Sequence, residues 1–237
     1  MNTRTKSFLL VLYVIYIWFL YYTYAIIDQL QFDPEVIFFV VVLIILMNLS
    51  MFYNYKSKVQ TAIFLPALIP AIVLFNPFWV TIIATIGSIK FMKFKEGKLI
   101  WYKFIFNRVM LGLSAGVASF VFNIVLLNYF NNNIILSILV AAIMYFIVNN
   151  LLLFIVINLS NETQEISFLV YLTELSKNIL MSYFLGLILY FSYMEFGKVF
   201  FLLVIILIYI ARDFFFSTIQ LLNSFTQIIE SLLMVID

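Results

Sequence analysis

The chain has 237 residues, of which 66% are hydrophobic and only 10% charged, with 28 Phe and a formal net charge of +2. Soluble domains run at about 45–50% apolar and about 25% charged, so a chain this apolar needs lipid as the solvent for most of its surface. The lack of any cysteine or histidine excludes disulfides, thiol catalysis, thiolate metal sites and the commonest general base and metal ligand, and so small a net charge speaks against nucleic acid.

The first stretch, MNTRTKSFLLVLYVIYIWFLYY, opens on basic residues as a signal peptide does. Its apolar run is too long for one and no small-residue cleavage site follows, which predicts a retained first helix. Phe8–Ile27 is nearly uncharged, and at about 1.5 Å per residue it matches the ~30 Å hydrocarbon core. Asp28, Asp33 and Glu35 make an acidic turn. Asp33-Pro34 reads as a helix start, with Asp as N-cap and Pro where its missing N–H costs nothing. The second span, Val36–Phe52, is closed by Lys56 and Lys58.

Val59–Phe75 is apolar but holds Pro66 and Pro70. Each removes a backbone hydrogen bond, which predicts a kinked helix shielded by other helices. Asn76-Pro77 repeats the cap-then-proline signal before a fourth span at about Phe78–Phe91. These two spans are short enough for a helical hairpin that does not fully cross. The basic stretch Lys90–Arg108 follows, with Trp101, Tyr102, Phe104 and Phe106 among its charges. That mixture suits a short helix lying in the headgroup region.

Val109–Leu127 and Ile134–Ile157 are the fifth and sixth spans, joined by the polar turn Asn128–Asn133. After the polar loop Asn158–Ser167, Phe168–Lys177 reads as an interfacial lead-in to a seventh span near Asn178–Met194. The eighth starts near Val199, and its helical pattern runs without Gly or Pro through Arg212-Asp213 to the C-terminus. The expected architecture is an all-α polytopic transmembrane bundle of six to eight helices over residues 1–211, with an amphipathic exit helix over 212–237. With the N-terminus cytoplasmic, 12 of the 13 basic residues fall inside and only Lys198 outside. The positive-inside rule therefore predicts a multi-pass protein of the cell membrane with both termini cytoplasmic.

Three features invite a functional reading. Gly112-x-x-x-Gly116, extended by Ser119, gives one helix face almost without side chain, suited to close packing inside the bundle or to a dimer seam. Asn123, Asn149 and Asn150 at membrane depth need partners; with Pro66 and Pro70 they are the candidate lining of a ligand pocket, or else plain interhelical hydrogen bonds. The tail places Phe215, Thr218, Leu222, Phe225, Ile229, Leu232 and Ile236 at spacings of three and four. From Leu222 onward this is an a/d seam, fit for a second copy, a partner helix or the membrane surface.

Enzyme readings find no footing. Gly-x-Ser-x-Gly is absent, there is no histidine to activate a serine, and no carboxylate stands in the middle of a span. No catalytic residue, metal or cofactor is expected.

The small, apolar Ala71–Ser88 region, Lys103-Phe-Ile-Phe-Asn-Arg108 running into the Gly/Ser/Ala helix, Tyr145-Phe-Ile-Val-Asn149, and Ile210-Ala-Arg212 with its exit helix together form a familiar layout. It resembles the N-terminal membrane region found ahead of HD-GYP and, in some proteins, GGDEF signalling domains of low-GC bacteria. The resemblance covers roughly Val59 to Asp237. It implies a sensory or scaffolding membrane module whose exit helix meets a cytoplasmic signalling domain. The His-rich catalytic chemistry of those domains does not transfer to a chain without histidine. The expected function is thus an integral membrane sensory or input module that passes a signal to, or scaffolds, a cytoplasmic partner, with homodimerisation as one route. The alternative is a substrate-binding membrane subunit resembling the S-components of energy-coupling-factor transporters, and a third is a structural accessory subunit.

Overall fold

In the computed structural model the described residues are 3–26, 33–49, 52–53, 60–61, 64–89, 101–128, 133–160 and 168–236. They form seven helices: α1 (Thr3–Ala25), α2 (Glu35–Leu49), α3 (Phe64–Leu74), α4 (Pro77–Gly87), α5 (Trp101–Asn128), α6 (Ile134–Ser160) and α7 (Phe168–Ile236). A two-residue antiparallel ladder, Phe52–Tyr53 with Gln60–Thr61, follows α2 and is the one strand pairing among the described residues. Four helical stretches are long and apolar enough to cross a membrane: Arg4–Ala25, Tyr102–Ile124, Ile134–Leu159 and Leu180–Ala211.

The caps form where local chemistry demands them. Asp33 Oδ1 accepts from the Glu35 backbone N–H at 2.8 Å, and Asn76 Oδ1 accepts from that of Trp79 at 3.1 Å. Pro34 and Pro77 follow these caps directly, where no donor is lost. Several boundaries differ from the sequence reading: α2 ends at Leu49 rather than Phe52, and α4 at Gly87 rather than Phe91. α3 begins at Phe64 rather than Val59, which puts Pro66 in the first turn, where its missing N–H has no intrahelical acceptor to lose. Only Pro70 lies inside the helix, and both prolines are buried. Residues 101–108 do not form a separate surface helix; they are the first two turns of α5 and run straight into the apolar span. A helix once started propagates at one hydrogen bond per residue, and nothing between Trp101 and Val109 interrupts it. The rest of that basic stretch, residues 90–100, lies outside the described residues, as do Lys56 and Lys58.

The chain divides into two compact units, Met1–Tyr190 and Phe191–Asp237. In the first, α5 is the central element: it packs on α1, α3, α4 and α6. Its most apolar window is 61% buried, against 22% for α1 and 28% for α6. Outer residues of α1 such as Trp18 and Tyr21 are exposed, as side chains facing lipid are.

α3 and α4 form a short hairpin against α5. At 11 residues each they are about 16 Å long, roughly half the hydrocarbon thickness. The hairpin tip is level with the far end of α1 from its N-terminus, since the ring of Phe78 meets Tyr24 at 5.7 Å. Leu43 of α2 packs at Gly87, and Phe39 meets Phe75 ring to ring at 5.7 Å.

In the second unit the helical run breaks at Gly197, whose φ of 76° and ψ of −168° are non-helical. α7 is therefore two helical segments, 168–196 and 198–236, close to the division expected between a seventh and an eighth span. Glycine is the residue that takes such a positive φ without strain, and aromatic pairs Tyr193–Phe201 and Phe196–Phe200 bracket the break. Beyond it the backbone stays helical to Ile236. The side chains of Leu222, Phe225, Ile229, Leu232 and Ile236, and of Arg212 and Asp213, lie outside the described residues.

Candidate functional site

The small-residue face of α5 is filled by α4. A Cβ added at Gly112 would fall on the Thr85 hydroxyl, and one at Gly116 on the Thr81 hydroxyl and the edge of the Phe19 ring. Lipid tails give helices no hydrophobic reason to associate, so backbone approach of this kind provides the attraction through dispersion contacts. Ser119 continues the face one turn on. Its fully buried hydroxyl lies 3.5 Å from the Ile72 carbonyl and 3.3 Å from that of Phe75. The first is a carbonyl of the last turn of α3, which has no partner within its own helix, and the second belongs to Phe75, just past the helix end.

A line of hydroxyls runs beside this seam. Thr81 Oγ1 donates to the Pro77 carbonyl and Thr85 Oγ1 to the Thr81 carbonyl, both at 2.7 Å. With its single proton so committed, Thr85 accepts from the Tyr16 hydroxyl at 2.8 Å. This ties α1 to the hairpin at mid-span. Such bonds hold helices in register, and no step of the line offers a group that titrates near neutrality.

The candidate pocket residues are placed as follows. Asn123 Nδ2 donates to the Ser119 carbonyl at 2.9 Å, and Asn150 Nδ2 to that of Phe146 at 2.8 Å. Asn150 is 2% exposed; Asn149 is half-buried, and its Oδ1 is shielded without a partner. Both amide donors turn back on their own helices. The short α5–α6 connection makes the two helices antiparallel neighbours. Asn123 therefore stands near the end of α5, while Asn149 and Asn150 lie well inside α6 at a different depth. Pro66 and Pro70 are buried in α3, which contacts both α5 and α6. The structure brings Gly112, Gly116 and Ser119 together with the hairpin; the Asn side chains do not converge through the hydrogen bonds they make.

Reasoning from sequence missed Arg108 as more than a topology marker. Its guanidinium carbon lies 3.1 Å from the centroid of the Phe104 ring, and its Nη1 donates to the Phe104 carbonyl. Its Nε and Nη2 are shielded and have no partner. The usable signal was an aromatic residue four positions before an arginine that already lies inside an apolar helix.

The family model MASE9, a membrane-associated sensor domain family, matches residues 21–226. No curated protein and no solved structure matches the chain. The match spans most of the sequence, and the chain belongs to the MASE9 family.

Proposed function

We propose that this MASE9 chain is a multi-pass sensory input module of the cell membrane that hands a conformational signal to a cytoplasmic signalling partner, or to a second copy, through its C-terminal helix. The observation that carries this reading is the unbroken helix from the Gly197 break to Ile236. Its sequence changes from apolar all round to one-sided at Arg212-Asp213. A helix that leaves the bilayer with a continuous apolar seam needs something to cover it. The likeness of the chain to membrane regions preceding HD-GYP and GGDEF domains supports a signalling domain as the recipient. In this reading the chain binds and transmits but catalyses no reaction, and it uses no cofactor.

Both termini and the basic stretch between α4 and α5 face the cytoplasm, because the reverse topology would put 12 of 13 basic residues outside. Single cysteines at Gly97 and Asn132 test this in a chain with no cysteine of its own. An impermeant thiol reagent on intact cells is expected to label Asn132→Cys and spare Gly97→Cys; labelling only Gly97→Cys would invert the topology. The handover itself is tested by Phe225→Cys. Oxidation of membranes is expected to give a cross-linked pair of copies, or a covalent adduct with a partner domain carrying a facing cysteine. A cysteine at the exposed Leu207 is the control that should stay uncoupled, and equal behaviour at the two positions contradicts the reading.

A further inference from the structure

Arg108 occupies a position that bundle packing does not explain. α4 passes α5 in the opposite sense, with Thr81 against Gly116 and Thr85 against Gly112. One turn further along this register, Arg108 is level with Ser88, the C-cap of α4. The hairpin ends there, so the guanidinium stands beyond the packed seam. On the same part of α5, Lys103 and Asn107 are exposed and Ile105 is 42% exposed.

A guanidinium carries five N–H donors and no acceptor. In Arg108, Nη1 is used on the carbonyl of its own helix, and the cation rests on the Phe104 ring. The Nε and Nη2 edge is left with no acceptor and no ion pair among the described residues. An unpaired cation at this depth is costly, and charged side chains within spans are found paired. The vacant edge is also the one whose parallel N–H groups match two oxygens of a phosphate. The same end of the bundle carries further cations: Arg4 and Lys6 are exposed at the start of α1. That start is fixed to this end of the bundle by the bond from Thr5 Oγ1 to the Leu159 carbonyl at 3.0 Å.

We infer that the Nε–Nη2 edge of Arg108 anchors a binding site for a phosphate group, taken from an anionic phospholipid whose tail lies along the exposed Ile105 side of α5. Occupation swings the guanidinium off Phe104 toward the headgroup layer, a movement its aliphatic stem allows. The site is independent of the C-terminal seam, so its failure would leave the signalling reading untouched.

The test uses the purified full chain in an uncharged detergent, with thermal unfolding followed after adding phosphatidylglycerol, a phosphate-free diacyl glycolipid, or inorganic phosphate. Phosphatidylglycerol is expected to raise the midpoint of the parent and of Lys103→Gln, and the glycolipid to leave both unchanged. In Arg108→Gln the rise should vanish, and lipid retained in native mass spectra should fall by at least about tenfold, the loss of one good contact pair. Arg108→Gln removes an unpaired charge, so without lipid it is expected to be no less stable than the parent, which separates a lost site from a failed fold. Arg108→Lys keeps the charge but not the fork and should bind more weakly. If inorganic phosphate matches phosphatidylglycerol in an Arg108-dependent way, the site stands and its natural source is a soluble phosphate compound. Equal responses to phosphatidylglycerol in the parent, Arg108→Gln and Arg108→Lys overturn the inference, as does an equal rise with the glycolipid.

Discussion

Gly116→Val is expected to destabilise the helical bundle by at least about 1–3 kcal/mol, the usual cost of forcing extra methyl groups into a close-packed interface. The site gives no easy relief. Even the first carbon of the new side chain would meet both the Thr81 hydroxyl and the Phe19 ring, the latter at 2.5 Å. Thr81 is itself fixed by its bond to the Pro77 carbonyl, and Phe19 is buried in the α1–α5 cluster. Accommodating valine means parting α4 from α5. That would also draw the Tyr16–Thr85 bond and the Ser119 contacts out of reach, because all three join α5 and its neighbours to the same hairpin. Unfolding in detergent, followed by loss of helical signal against added denaturing surfactant, measures the effect. Gly197→Val serves for contrast: there a side chain meets nothing within 4 Å, and the only cost is the positive φ. A Gly116→Val variant as stable as the parent would mean that α4 and α5 are not in contact through this face.

What the sequence disclosed follows from which interactions are local. The caps at Asp33 and Asn76 were legible because a short polar side chain followed by proline fixes a helix start within three residues. The division of the last apolar run near Gly197 was legible from Glu195, Gly197 and Lys198 interrupting it, although the left-handed backbone itself was not. The starts of α3 and α5 were misplaced because apolar and aromatic residues extend a helix or end it according to tertiary contacts, not to composition. At the candidate site, Gly112, Gly116 and Ser119 announced a close helix contact, but the partner could not be read. The complementary surface is Thr81 and Thr85, ordinary threonines whose role depends on α4 running antiparallel to α5. Nor could the sequence reveal that the amide donors of Asn123 and Asn150 bond within their own helices. It counted Arg108 among the basic residues of the loop, where its burial and its idle donors do not register.

Leu222→Asp with Ile229→Asp is the second large effect expected. These residues lie seven apart on one side of the continuous helix. Paired with a second copy or a partner helix, each would sit in an apolar seam, where a carboxylate is desolvated or must hold the helices apart. The double variant is therefore expected to lose the coupling altogether rather than weaken it slightly, while the spans that insert the protein are unchanged. The decisive measurement is cross-linking through Phe225→Cys in native membranes, with and without the two aspartates. A cross-linked species is expected in the first case, none in the second, and equal amounts of membrane-inserted protein in both. Equal cross-linking in the two, or none in either together with no captured partner, would contradict a helix that carries a signal out of the membrane and leave it as an anchor on the bilayer surface.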